Sequence, residues 1–308
     1  MGVVVQAFYS DHFVLPLPDG HRFPMRKYRL LREWVAQHLP QVRLQEPMAA
    51  TDGELALAHT PDYVQRVVHN RLSLQELREL GFPWSEQMVE RSRRSTGATI
   101  GACRAALKEG IAMNLAGGTH HAYADKGSGF CVFNDAVVAA RLMQAEQARL
   151  GKSLPVAIID LDVHQGNGTA SIVRNDPSIF TFSLHGENNF PFRKECSNLD
   201  LGLPDGAGDE VYMEALQQGM AELFQRFFPE LIIYLAGADV YEGDRLGKLK
   251  LSPAGIARRD QYVLQQAGAR KCPVAIAMAG GYGHVIEETV RIQYQTVEIA
   301  LKHYGIWA

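Results

Sequence analysis

The residues with the most chemical potential fall in one short run, Asp160-Leu161-Asp162-Val163-His164. Polar side chains at i, i+2 and i+4 of an extended chain point to one side. On that geometry Asp162 and His164 reach a single ion, with Asp160 one pleat deeper. Asp239, in Gly237-Ala238-Asp239, can complete the site from a neighbouring strand. Two carboxylates and one imidazole leave a coordination position open for water or substrate, as catalytic metal sites do. Zinc suits this donor set, and so do Fe(II), Co(II) and Mn(II).

Two carboxylate ligands neutralise a divalent ion, so a bound water is acidified less than on an all-histidine site and a general base becomes useful. The adjacent pair His120 and His121 supplies one, with the second imidazole able to share or shuttle the proton. Asp160 and Asn167 are the candidates for holding the two outward-facing ring nitrogens. Tyr282, in Gly280-Gly281-Tyr282-Gly283, offers a phenol to a developing oxyanion, and the glycines let the chain turn sharply. Singly, each cluster also has a plain structural reading, as a cap, a turn or a satisfied buried histidine. Together they point to a metal-dependent hydrolase.

The elements that must position these residues follow from the apolar pattern. Strand-like runs at 3–8, 111–116, 155–163, 178–184, 230–236 and 273–279 alternate with helical stretches near 134–150, 208–227, 253–268 and 285–303. Continuous Val/Ile/Leu-rich strands separated by helices signal a parallel sheet buried on both faces. The first 110 residues are helix-rich: a basic helix begins near Pro24, Thr51–Glu54 and Ser73–Glu76 form capping boxes, Thr60-Pro61 starts another helix, and a longer one spans about 85–108. No Gly/Ser- or Pro-rich linker divides the chain, so residues 1–308 read as one α/β domain. The clusters GGTHH, DLDVH, GAD and AGGYG all fall at strand C-termini, where open parallel sheets gather their ligands.

Composition removes other classes. The 308 residues carry 31 Lys+Arg against 34 Asp+Glu, which leaves no basic footprint for nucleic acid. No apolar run reaches the length of a membrane span. The start, MGVVVQAFYSDHF, lacks a secretory pattern, and Gln6 fails the myristoylation signal. Cys103, Cys131, Cys196 and Cys272 are far apart, which argues against a thiolate metal site and fits a reducing, cytoplasmic location.

The segments GGTHHAYADKGSGFCVFND, IIDLDVHQGNGT, TFSLH, LAGADVYEGDRLG and AGGYG resemble, in order, the signatures of the histone deacetylase superfamily. These are arginase-like, zinc-dependent hydrolases of acyl-lysine and acyl-amines. DVHQGNG and EGDRLGKLKLSPAGIARRD are most similar to class IV, the histone deacetylase 11-like class. The resemblance implies a single arginase/deacetylase-like domain with a mainly parallel sheet flanked by helices on both faces. It implies zinc on Asp162, His164 and Asp239, His121 as base and then acid, His120 as its electrostatic partner, and Tyr282 polarising the acyl carbonyl. Asp160 and Asn167 would complete the catalytic set. Phe130 and Phe190, with Gly129, Gly280 and Gly281, would form the narrow substrate channel. A structural potassium ion would sit on Asp160, Asp162, His164, Ser183 and Leu184.

Three positions depart from the better-known class I pattern. Asn167 stands where class I has Asp, which should lower the pKa of the dyad. Gln165 replaces a second histidine, and the aspartate that clamps the substrate backbone has no evident counterpart, because Pro83 falls near its place. The expected reaction is hydrolysis of an acyl-amide on a lysine side chain, whether acetyl or a long fatty acyl as in class IV. It uses metal-activated water, the histidine dyad and the tyrosine. The expected partners are thus an acylated lysine peptide or protein, or an acylated amine. The rival readings are an acetylpolyamine or other small-molecule amide deacetylase and a catalytically idle acyl-lysine binding protein; the second has no need of the proton-transfer groups present here.

Overall fold

The computed structural model describes residues 4–305; Val3 of the first expected strand and the two ends of the 1–308 span lie outside them. Along the chain, β1 (Val5–Phe8) leads to α1 (Arg26–His38) and β2 (Val42–Gln45). Then come α2 (Asp52–Leu55), α3 (Pro61–Val68), α4 (Leu74–Leu80) and α5 (Glu86–Glu109). Both expected capping boxes form, Thr51 with Glu54 and Ser73 with Glu76, and Thr60 caps α3 with Pro61 at its first position. A regular alternation follows: β3 (Ile111–Asn114), α6 (Asp135–Ala148), β4 (Val156–Asp160), α7 (Asn167–Val173), β5 (Ile179–Gly186), β6 (Leu199–Leu203), α8 (Asp209–Arg226), β7 (Leu231–Leu235), α9 (Pro253–Ala269), β8 (Val274–Ala277) and α10 (Ile286–Tyr304).

The eight strands make one sheet in the order β2-β1-β3-β8-β7-β4-β5-β6, and every pairing is parallel. Successive residues of a strand face opposite sides, and both sides here are apolar. Ala157, Ile159, Ile232, Tyr234, Val274 and Ile276 enter one core cluster. Their neighbours Val156, Ile158, Leu231, Ile233, Ala275 and Ala277 enter the other. The first face is covered by α1, α8, α9 and α10, whose buried residues Leu31, Leu216, Val263 and Val297 belong to that cluster. The second takes Val64, Met88, Cys103 and Val137 from α3, α5 and α6. Continuous apolar strands are the sequence consequence of this two-sided cover.

The order places β3, β8, β7 and β4 side by side at the centre of the sheet. The loops leaving their carboxyl ends carry His120/His121, Tyr282, Asp239 and Asp162/His164 respectively. One local expectation fails: β4 ends at Asp160, and the chain bends from Leu161 onward instead of continuing extended to Val163. Asp162 and His164 therefore converge through a bend that side-chain and backbone hydrogen bonds hold, and not through strand periodicity.

Candidate active site

Hydrogen bonds from backbone N–H groups set the bend after β4. Asp160 Oδ1 accepts from the amide of Asp162 (3.2 Å), and Asp162 Oδ1 accepts from that of His164 (2.9 Å). Asp162 Oδ2 accepts from Gly280 N (2.8 Å), which ties the β4 and β8 exits together. Asp239 Oδ1 accepts from Val163 N (3.0 Å), which adds the β7 exit. Position 280 has to be glycine, because a Cβ there would run into the carboxylates of both Asp239 and Asp162.

Asp162, His164 and Asp239 can each direct one ligand atom to a common point, the three atoms lying within 4.8 Å of one another. His164 Nδ1 is 2.9 Å from Asp162 Oδ1 and 3.4 Å from Asp239 Oδ2. Asp239 Oδ2 is buried and has no hydrogen-bond donor among the described residues. A buried carboxylate oxygen without a donor is costly, and a divalent cation among two carboxylates and an imidazole would satisfy it. The residues present therefore fit a metal ion. Burial opposes charge on His164, but the two carboxylates outweigh it and raise its pKa to about 10; burial and the neighbouring Asp162 raise Asp239 to about 7.

The dyad stands beside this cluster, in the loop after β3. Asp135 shapes that loop by accepting from Gly118 N (3.0 Å), Thr119 N (2.8 Å) and the Thr119 hydroxyl (2.8 Å). The His120 and His121 rings are 4.1 Å apart, and His121 lies 5.8 Å from the His164 ring. His120 Nδ1 meets Asp160 Oδ2 at 2.6 Å, and His121 Nδ1 meets Asn167 Oδ1 at 2.7 Å. Burial disfavours a proton on both. For His120 the carboxylates of Asp160 and Asp162 prevail and raise its pKa to about 9. His121 has only a neutral amide partner, so burial and the charges of His120 and His164 push it well below its ordinary value. The two imidazoles are thus shifted in opposite directions.

Tyr282 is placed by Asp244, whose Oδ2 accepts from the Tyr282 amide (2.6 Å) while its Oδ1 accepts from Leu246 N and Gly247 N. Burial, with Tyr28 and Asp162 nearby, pushes the phenol well above its usual pKa, so it remains a hydrogen-bond donor. Two residues of the site hold left-handed backbone, Phe130 at φ 67° and Ala279 at φ 48°. Such strain is retained where the surroundings over-determine it.

A cavity of about 500 Å³ joins these groups. Asp162, His164, Asp239, His120, His121, Tyr282, Gly129, Phe130, Phe190 and Gly280 all line it. Gly281 does not; its carbonyl accepts from the buried Lys27 ammonium at 3.1 Å. Asp160 and Asn167 stand behind the histidines. Ser183 is the register partner of Asp160 on β5, with Leu184 next to it, and the Ser183 hydroxyl meets His185 Nδ1 at 2.9 Å. Pro83 stays off the cavity wall, whereas Glu79 and Phe82 line it, and Glu79 pairs with Lys126 at 3.2 Å.

Several contributors carry no signal in the sequence motifs. Leu15, Arg22, Phe23 and Phe82 enter from loops, and Tyr28 and Arg91 from the helices α1 and α5. Arg259 is fully buried in α9 and donates to Leu161 O (3.3 Å) and Gly237 O (2.5 Å), next to two of the ligand-bearing loops. Its place in EGDRLGKLKLSPAGIARRD was visible, its role was not.

Residues 21–297 match the histone deacetylase domain family. The chain is 42% identical over 284 residues to an uncharacterised protein of Picosynechococcus sp., covering 92% of this chain and 93% of that one. It is 28% identical to histone deacetylase 2 of Arabidopsis thaliana (97% of this chain, 78% of that protein) and 31% identical to histone deacetylase 8 of Xenopus tropicalis (79% and 69%). Among solved structures, an HDAC homologue complexed with SAHA and an HDAC homologue from Aquifex aeolicus superpose with TM-scores of 0.81 at 24% identity, over 97% of this chain and 84% of each of theirs. No helix among the described residues is long and apolar enough to cross a membrane. The chain belongs to the histone deacetylase family and is a hydrolase acting on amides.

Proposed function

We propose that this protein removes the acyl group from an acylated lysine side chain or a similar primary amine. The observation that carries the reading is the donorless Asp239 Oδ2 in the Asp162–His164–Asp239 cluster, beside a histidine whose Nδ1 is occupied by Asn167. Zinc, or Fe(II), held by that cluster supplies Lewis acidity to the acyl carbonyl and to the attacking water.

The chain's own residues do the rest. Asn167 fixes the His121 Nδ1–H, so Nε2 is the basic nitrogen; it takes the proton of the attacking water and returns it to the leaving amine. His120, kept charged by Asp160, favours a neutral His121 at rest. The Tyr282 hydroxyl donates to the oxyanion that forms as the carbonyl carbon becomes tetrahedral. Phe130 and Phe190 wall the approach of the lysine methylenes, with Phe190 4.9 Å from the His121 ring.

We further place potassium at the Asp160, Asp162, His164, Ser183 and Leu184 position, a reading supported by the register of β4 against β5. Class IV membership rests on DVHQGNG and EGDRLG, and residues 1–308 are read as one catalytic domain. A cytoplasmic location is supported by the unpaired thiols Cys103, Cys131 and Cys196. Incubation with an acetyl-lysine peptide tests the reaction: formation of acetate and of the peptide with its lysine amine unmasked is expected, and no turnover of any acyl-lysine peptide by metal-loaded protein overturns it.

A further inference from the structure

The cavity that holds the catalytic cluster is also walled by Tyr28, Arg91 and Ser95. Arg91 is 6% and Ser95 8% exposed, whereas Phe192, on the same cavity, is 88% exposed. Arg91 and Ser95 thus belong to its enclosed inner end, with the buried dyad and carboxylates, and Phe192 to its mouth. A lysine side chain entering from the mouth carries its acyl group to the enclosed end that Arg91 shares.

Arg91 and Ser95 are one turn apart on α5 and share a face. Arg91 spends Nη1 on the carbonyls of Ser10 (3.1 Å) and Phe13 (3.3 Å), and its guanidinium lies 4.4 Å from the Tyr28 ring centroid, with the phenol against it. N–H donors are left over, and no carboxylate among the described residues pairs with them. Asp11, the acid nearest in effect, is held by both oxygens to Arg32 at 2.8 and 2.9 Å. Lys27, whose ammonium lies 5.1 Å from the Tyr28 ring centroid, is buried off the cavity wall and donates to the carbonyls of Ala279 and Gly281. Ser95 brings a hydroxyl to the same wall as Arg91. A buried guanidinium on the cavity wall, with N–H donors to spare and no carboxylate paired to it, is an expensive arrangement. A carboxylate matches it, since the guanidinium fork accepts one in two-point contact.

We propose that the inner end recognises an acyl group that terminates in a carboxylate, as a succinyl or glutaryl group does. This rests on the amide-hydrolase reading above. Water adds to the amide carbonyl, the C–N bond breaks, the amine leaves with a proton, and the acyl group departs as a dicarboxylate.

The test measures kcat/KM for one lysine peptide carrying acetyl, succinyl or glutaryl, beside the uncharged ω-amides of the last two. A charged contact in place of a neutral one predicts that at least one carboxylated acyl group exceeds its ω-amide by about tenfold or more. Arg91→Gln brings that ratio toward one. Should Arg91→Gln fail to fold, the same ratio in the parent and in Ser95→Ala decides. Hydrolysis of the ω-amides as fast as of the acids, or an undiminished ratio in folded Arg91→Gln, overturns this inference alone. Hydrolysis of none of the peptides overturns the reaction and the inference together.

Discussion

His121 Nδ1 lies 2.7 Å from Asn167 Oδ1, and the amide nitrogen of Asn167 reaches the Tyr123 hydroxyl at 2.9 Å, so a neutral group holds the ring in the tautomer that frees Nε2. Burial and the charge of the neighbouring His120 hold the pKa of this imidazole well below its ordinary value, which favours the neutral form that accepts a proton.

Asn167→Asp therefore changes the pH profile in a defined direction. A carboxylate beside Nδ1 favours imidazolium and raises the His121 pKa by about 1–3 pH units. The acid limb of kcat/KM, where activity falls as the base becomes protonated, moves to higher pH by a similar amount. A pH series of initial rates on parent and variant checks this; an unmoved limb contradicts the assignment of His121 as base.

Tyr282→Phe removes one oxyanion donor without touching the Asp244 contact, which is made by the backbone. Loss of such a donor costs about 10²–10³-fold in kcat, with KM little changed. Steady-state kinetics and a thermal melt together separate this from misfolding.

Arg259→Met should affect both the fold and the metal cluster. The guanidinium donates to Asp260 (2.8 Å) and to the carbonyls of Leu161 and Gly237, which adjoin the Asp162 and Asp239 loops. Its loss leaves Asp260 buried without its cation, for a cost of about 3–5 kcal/mol. Urea denaturation reads that loss, and calorimetric titration with zinc should show weaker binding than in the parent.

Stability should also fall with acidity through His59. Its Nε2 accepts from Asn134 N (2.8 Å) and its Nδ1 faces Tyr123 O (2.9 Å), so the ring must be neutral; burial lowers its pKa from 6.5 to about 4. The unfolded chain binds the extra proton between these values, so the contribution is complete above pH 6.5 and declines as pH falls toward 4. The decline amounts to about 3 kcal/mol. Melting curves of the parent and His59→Gln across pH 4–7 should converge at the acid end.

The sequence made the centre of this molecule legible and its walls much less so. Apolar runs mark β4 (VAIID), β7 (LIIYL) and β8 (VAIA), and largely apolar ones β3 (IAMN) and β5 (IFTFSLHG), because both faces of these strands are covered, and polar clusters at their ends mark the loops. That β3, β8, β7 and β4 are neighbours is a long-range fact that no local pattern encodes. The edge strands β2 (VRLQ) and β6 (LDLGL) are short and partly exposed, so their composition resembles loop. The seven-residue α7 is too short to show a period. Phe23 and Phe82 reach the cavity from irregular loops. Arg91, on a helix that was expected, gains its interest only from burial without a carboxylate, which spacing does not reveal.

The most direct test of the central claim is hydrolysis of an acetyl-lysine peptide by the protein as purified, after removal of divalent metal, and after zinc is restored. The Asp162–His164–Asp239 reading predicts loss of amide hydrolysis on removal and its return with zinc in the parent, but no return in Asp239→Asn. Undiminished turnover by the metal-free protein, or by Asp239→Asn, would contradict the account.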